Sequence, residues 1–126
     1  MNGKLKLCLA SAACLAAACI AWPQAAPDPL DSLTVCAATQ HLILENAFVR
    51  VIDDSIPAGD SEPLHRHRHS VVVYLTDYTL QQTTADGQTT VSSRKAGTAA
   101  WSEAIVHSLK NVGTTPSHAI RIELKF

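Results

Sequence analysis

The residues with the clearest capacity for chemistry are His65, His67 and His69, which alternate with Arg66 and Arg68 in the stretch PLHRHRHS. Successive side chains of an extended strand point to opposite faces, so the three histidines would share one face. Imidazoles two residues apart have backbones separated by ~6.6 Å, which lets both rings bind one metal ion. His65 and His69 would lie ~13 Å apart, so a straight strand allows only two neighbouring histidines at the same ion.

A pair of histidines makes a weak metal site, and the spacing alone favours a solvated face of a strand. A third ligand from elsewhere in the chain would reverse that preference. His107 is the candidate, in the stretch SEAIVHSLKN some 40 residues after His67. It follows a turn, and a closed barrel could return it beside the first pair, but the sequence alone does not establish that proximity.

The elements that must position these residues show a period of two. The stretches FVRVI (48–52), SVVVYLT (70–76) and AIRIELKF (119–126) are short, rich in β-branched residues and bounded by turn residues. Turn signals at 57–60, 85–88, 95–98 and 112–114 are spaced as a series of hairpins requires. No stretch of about ten residues carries a helical stripe, so the pattern predicts an all-β sandwich or closed barrel.

The first 26 residues differ from the rest of the chain. Lys4 and Lys6 precede an apolar run over 7–21 and an exit rich in small residues, a layout typical of a secretory signal peptide. The apolar run is shorter than the ~20 residues that span a bilayer, which argues against a retained anchor. A degenerate lipobox ending at Cys19 makes a lipoprotein the minor alternative. We therefore expect a periplasmic or secreted protein that is not membrane-bound unless it is lipidated at Cys19.

Removal of the leader, residues 1–26, leaves a small and mildly acidic chain. Cys36 is then the only cysteine, so no intramolecular disulfide can form. Eight Lys and Arg remain against 11 Asp and Glu, a net charge of about −3 that argues against nucleic-acid binding. Residues 27–38 are predicted to be a flexible lead-in to a domain at 39–126. A core of this size would be helped by association into a homodimer.

Two stretches resemble the motifs of the cupin superfamily. The first cupin motif has a glycine, five residues and His-x-His, and Gly59, His65 and His67 match it in register. The second motif has a glycine, a later histidine and, after three residues, an asparagine. Gly97, His107 and Asn111 match its ends, with one residue fewer before the histidine. The similarity extends from about position 41 to 126, and it implies a cupin-type β-barrel, or jelly roll.

The resemblance implies a divalent transition metal, which would be iron, zinc, copper or nickel, bound by His65, His67 and His107. The glutamate that completes the first motif should stand at position 71 or 72, and both residues are valine. Glu103 and Ile105 replace the proline and glycine of the second motif. Three imidazoles still form a ligand set with open positions, and His69 is a fourth candidate ligand if the chain turns back after His67.

The alternation of side chains also predicts what lines the cavity. Val71 and Val73 share the parity of the histidines and would face inward, whereas Tyr74 would face outward. An apolar pocket with few polar groups suits a small organic ligand. The nearest carboxylates in sequence, Glu62 and Glu103, are not placed in the cavity by this alternation, so no general base can be named.

Three functions are compatible with these residues. The first is a metal-dependent enzyme of the oxygenase or isomerase type, acting on a small molecule at the open positions of the ion. The second is a non-catalytic barrel of the cell envelope that binds a small ligand or a metal, which the missing glutamate favours. The third is a structural dimer whose histidines are unused, because a fold does not determine a function.

Overall fold

The computed structural model describes residues 26–126, which form one short helix and nine strands. The elements are α1 (Ser32–Val35), β1 (Gln40–Glu45), β2 (Val49–Ile56), β3 (Ser61–His67), β4 (Ser70–Tyr74), β5 (Tyr78–Thr84), β6 (Thr89–Arg94), β7 (Ala99–Ser102), β8 (Ile105–Asn111) and β9 (Ser117–Leu124). The predicted signal peptide lies outside the described residues, except for its last position. No helix within 26–126 has the length and apolar character needed to cross a membrane.

The strands form two antiparallel sheets. One has five strands in the order β1-β2-β9-β4-β7, and the other has four in the order β3-β8-β5-β6. Neighbours in each sheet are mostly distant in sequence, as in a jelly roll. The all-β prediction is confirmed. The turn predictions at 57–60, 85–88 and 95–98 are confirmed as well, because Gly59, Gly87 and Gly97 all adopt the positive φ that such turns require.

The last strand, β9, alternates as predicted, and its charged residues face into the barrel. Arg121 and Glu123 are 7% and 0% exposed, whereas Ile120 and Ile122 are only half-buried on the outer face. This inverts the usual arrangement of an amphipathic strand. It shows that the interior of the barrel contains charged groups as well as a hydrophobic core.

A bend between β3 and β4 changes which residues of β4 face inward. β3 ends at His67, two residues lie outside the strands, and β4 begins at Ser70. The prediction that Val71 and Val73 line the cavity is therefore wrong, because Val72 and Tyr74 are the buried residues. The bend breaks the alternation that was assumed to run unbroken from His65 to Val73.

The segment predicted to be a flexible lead-in is instead packed against the barrel. Asp31 caps α1 by accepting a hydrogen bond from the backbone N–H of Leu33, and the backbone N–H of Arg66 in β3 donates to Leu30 O at 2.7 Å. Cys36 is 3% exposed. The prolines and aspartates that suggested flexibility belong to a capped turn that lies on β3.

Asn111, at the end of β8, joins the end of β2 to the loop between β8 and β9 through its side chain. Its Nδ2 donates to Ile56 O and Thr115 O at 2.9 and 2.8 Å, and its Oδ1 accepts from the backbone N–H of Gly113 at 3.0 Å. We expect Asn111→Ala to lower the free energy of unfolding by ~3 kcal/mol, because buried backbone groups lose their partners. Urea unfolding would measure this. Asn46→Ala, which removes an exposed turn cap, is the matched control and should cost less than ~1 kcal/mol; equal losses would contradict the assignment.

Candidate metal centre

The structure brings His65, His67 and His107 together inside the barrel. His65 and His107 are directly opposite each other in the β3–β8 pair, so their side chains project from the same face. His67 lies two residues along β3 and faces the same way. Ring centroids are 4.8 Å apart for His65–His67 and His65–His107, and 5.6 Å for His67–His107. The three rings are 0%, 1% and 3% exposed, so this is not a solvated strand face.

Each of the three imidazoles is oriented by an acceptor at Nδ1. The acceptors are Pro63 O for His65 at 2.7 Å, Glu123 Oε1 for His67 at 2.6 Å and Gln82 Oε1 for His107 at 2.9 Å. A carbonyl or carboxylate oxygen can only accept, so each Nδ1 carries the proton. Each Nε2 is therefore left with a lone pair, the arrangement found around metal-bound histidines.

The free nitrogens converge on a common point. One ring nitrogen of each histidine lies within 4.8 Å of those of the other two, and Nε2 of His65 and of His67 are 3.1 Å apart. Ligand nitrogens of a tetrahedral zinc ion are spaced by ~3.3 Å, which is close to this distance. Nε2 of His107 is buried and has no hydrogen-bond partner among the described residues. The donor set and this orphaned nitrogen fit a divalent transition metal.

The three rings are neutral in this environment. Burial lowers the pKa of His107 to about 2, and the neighbouring His65 and His67 act in the same direction. Burial likewise lowers the pKa of His65, and burial together with the Arg121 cation lowers that of His67. Neutral imidazole is the form that binds a metal, so the site is preorganised without deprotonation near pH 7.

A series of charged groups, Glu123, Arg50 and Asp31, holds the Nδ1 side of the His67 ring in place. Glu123, which accepts from its Nδ1, also accepts from Arg50 Nε at 2.9 Å and lies 2.7 Å from Arg50 Nη2. Nη1 of Arg50 is 2.5 Å from Asp31 in the segment before α1. The guanidinium pairs with both carboxylates and offsets part of their charge, which helps Glu123 to remain buried next to the imidazole.

Glu62 is a further carboxylate at the site, and the alternation of β3 does not predict it. The β3–β8 register shifts between Glu62 and His65, so these residues both point inward although they are three apart. Oε2 of Glu62 is 3.6 Å from Nε2 of His65, and its carboxylate accepts from Thr39 Oγ1 and Gln40 Nε2. Glu62, His65 and the buried Cys36 form a second group of ligand atoms within 4.8 Å of one another.

The structure does not bring His69 into the cluster. It lies in the bend after β3, with its side chain 48% exposed and 2.9 Å from Glu103. Its ring stacks on Trp101 with a centroid distance of 5.9 Å. The chain does turn after His67, but the turn directs His69 toward the surface. Glu103 is likewise exposed and outside the cavity.

A cavity of about 150 Å³ adjoins the histidine cluster, and His107 forms part of its wall. Its apolar lining includes Val72, Leu80 and Leu109. The other side chains that line it include those of Asp54, Tyr74, Tyr78, Gln82, Arg94 and Arg121. Burial, reinforced by the nearby Glu62, raises the pKa of Asp54 to about 7. The prediction of an apolar cavity with few polar groups is therefore wrong, because the cavity also holds two guanidinium groups and a titratable carboxyl.

Sequence reasoning missed several of these residues for identifiable reasons. Arg121 and Glu123 alternate with isoleucines, so their hydropathy indicates an outward face. Gln82 lies in a polar strand, QQTT, with no distinguishing pattern. The register shift in β3 directs Glu62 inward, so the alternation of the strand does not predict its position. The one signal in the sequence was the predicted group of three histidine ligands, because such ligands usually have polar partners around them.

Comparison with solved structures identifies the architecture. A cupin domain protein from Bordetella pertussis is 27% identical, with a TM-score of 0.63 over 69% of this chain and 92% of that one. An RmlC-like cupin family protein with a double-stranded β-helix fold from Methanocaldococcus jannaschii is 14% identical, with a TM-score of 0.54 over 68% of this chain and 77% of that one. No protein-family model and no curated protein matches the sequence.

The fold and the buried three-histidine group define the class of protein. The described residues have the fold of a small cupin domain, and the resemblance detected in the two motifs is confirmed. The positions that carried the resemblance all belong to features described above. Two are turn glycines, Gly59 and Gly97, and three are the clustered histidines, His65, His67 and His107. The last is Asn111, whose side chain joins β2 to the loop after β8.

Proposed function

We propose that this protein binds one divalent transition-metal ion, iron, zinc, copper or nickel, through His65, His67 and His107. The observation that carries the proposal is the convergence of three Nε2 atoms while each Nδ1 is held by an acceptor. Imidazole ligands favour these metals over magnesium or calcium. Glu62, rather than His69, is the proposed source of negative charge in place of the missing motif glutamate.

We further propose that the protein is an enzyme of the oxygenase or isomerase type, acting on a small molecule in the cavity beside His107. A bound ion of this kind supplies Lewis acidity or redox chemistry. The chain itself supplies Asp54, whose pKa near 7 allows its carboxyl to give or take a proton at neutral pH. The walls of the cavity limit access of water to that carboxyl, which is 8% exposed.

A non-catalytic barrel that binds a metal or a small ligand is the second candidate. It is favoured by Val72, an inward-facing residue at one of the two positions where the motif expects a glutamate. Oxygen uptake by metal-loaded protein with small phenols, thiols and diketones would separate an oxygenase from a carrier. A carrier should consume none, whereas a sustained uptake that requires Asp54 would support an oxygenase.

The cellular setting is proposed from the sequence. The leader at 1–26 supports export to the periplasm or beyond, with lipidation at Cys19 as the alternative. A homodimer is supported by an apolar row on the outer face of the five-stranded sheet, where Leu44, Val51, Ile122, Val71 and Trp101 are consecutive neighbours across the strands. Mass spectrometry of the exported chain would identify its first residue.

Metal titration of tag-free protein tests the proposed site. We expect one ion per chain, and we expect Glu123→Gln to weaken binding by about 10–100-fold, because the amide can no longer pair with Arg50 while orienting His67. Competition with a chromophoric chelator would measure both affinities. Glu45→Gln, at an exposed carboxylate, is the matched control and should leave the affinity unchanged. An equal effect of the two variants would refute the role of Glu123.

A further inference from the structure

The cavity beside His107 carries an excess of positive charge. Its charged lining residues are Arg94, Arg121 and Asp54. The guanidinium of Arg94 lies 5.5 Å from the centre of the Tyr74 ring. Two cations against one carboxyl favour an anionic occupant.

Arg121 is the buried member of this group, and only part of its hydrogen-bonding capacity is used. The residue is 7% exposed, and its Nη1 donates to Ser70 Oγ at 2.8 Å. Its Nε is buried and has no partner among residues 26–126. A guanidinium has five N–H donors, and a buried cation without an anion is costly. The buried guanidinium therefore has an N–H donor available for a hydrogen-bond acceptor.

The carboxylates of the barrel do not fill that role. Arg121 forms no salt bridge with any described residue, although Asp54 lines the same cavity. Glu123, two residues further along the same face of β9, is bound by Arg50 and by His67. Arg121 is therefore a buried cation of this cavity whose charge is not matched by an ion pair among the described residues.

The size of the cavity limits the occupant. A cavity of about 150 Å³ is the size that accommodates benzene in an engineered protein core. Its Val72, Leu80 and Leu109 surfaces suit a short apolar body.

We propose that the cavity binds a small carboxylate anion, with its carboxylate held by the guanidinium of Arg121 and its apolar body against Val72, Leu80 and Leu109. Guanidinium and carboxylate groups match in geometry and form paired, charge-assisted hydrogen bonds. The proposal rests on the proposed function, because His107 belongs both to the cavity wall and to the proposed metal site. It adds the chemical class of the substrate.

Calorimetric titration with benzoate and benzamide, at pH 8 with EDTA present, tests the proposal. The two probes share size and shape and differ in charge. We expect benzoate to bind metal-free protein at least about tenfold more tightly than benzamide, and Arg121→Gln to reduce this ratio to about one. Arg121→Lys should give an intermediate ratio. Arg68→Gln, the same change at an exposed arginine, should leave the ratio unaltered.

The outcomes separate this inference from the proposed function. Unchanged benzamide binding by Arg121→Gln would show that the cavity is still folded. A preference for benzoate that persists in Arg121→Gln, or that appears only after metal is added, would overturn the inference and leave metal binding intact. A preference that depends on Arg121 in protein that binds no metal would support the inference while the proposed metal site fails.

Discussion

Replacement of His107 by alanine is expected to weaken divalent-metal binding by roughly 1,000-fold or more. The substitution removes one of three converging Nε2 ligands, and changes to residues behind such ligands already cost about 10–100-fold. The loss should not come from unfolding, because His107 sits at the cavity wall and leaves Gln82 able to bind water. Chelator competition on tag-free protein would measure affinity, and circular dichroism would report the fold.

Three matched variants sharpen this test. His118→Ala removes a histidine paired with Asp53 at the surface, and His69→Ala removes the histidine paired with Glu103, so both should change metal affinity less than about twofold. Cys36→Ser tests the second group of ligand atoms, Cys36, Glu62 and His65. A site centred there would survive His107→Ala and be lost in Cys36→Ser, which would contradict the proposed ligand set.

Metal-free protein is expected to lose stability steeply as the pH falls from 7 to 5. The folded-state pKa values of His65, His67 and His107 lie below the usual value near 6.5, so unfolding takes up a proton at each. Asp54 acts in the opposite direction, because its folded-state pKa of about 7 means that unfolding releases its proton in this window. A net uptake of about two protons corresponds to roughly 2.7 kcal/mol per pH unit below pH 6.

Urea unfolding in EDTA at pH 7.5, 6.5 and 5.5 would measure this slope. His107→Leu should reduce it by about 1.4 kcal/mol per pH unit, since one fewer proton is taken up on unfolding. Asp54→Asn should steepen it by a similar amount, because the opposing group is gone. A stability that is flat between pH 7.5 and 5.5 in the unmodified protein would show that the three imidazoles are not held neutral.

The fold could be predicted from the sequence because the patterns that indicate strands and turns each lie within a few consecutive residues. The period-two stretches and turn glycines specify strands and hairpins, and three of those glycines adopt the predicted conformation. His65, His67 and His107 could be named from their spacing in two motifs. Their proximity required a strand pairing, His65 opposite His107, that no local pattern encodes.

The remainder of the site depends on two irregularities that interrupt the alternation of side chains. The bulge after Glu62 brings this carboxylate inward, and the bend at 68–69 brings Val72 and Tyr74 inward in place of Val71 and Val73. Alternation is reliable only within an uninterrupted strand. The inward charges of β9 were missed for another reason, since hydropathy places Arg121 and Glu123 in solvent unless the interior is known to be polar.

The contact between Asp31 and Arg50 has a consequence for where this domain begins. A boundary drawn at the first strand pattern, near Thr39, would remove Asp31, and with it one of the two anions that balance the Arg50 cation. Arg50 would then be free to bind Glu123 more strongly and draw its electron density away from His67, which makes that imidazole a poorer donor. We therefore expect a chain trimmed to its strands to bind metal less tightly at the histidine cluster, because a residue outside the barrel acts on His67 through Arg50 and Glu123.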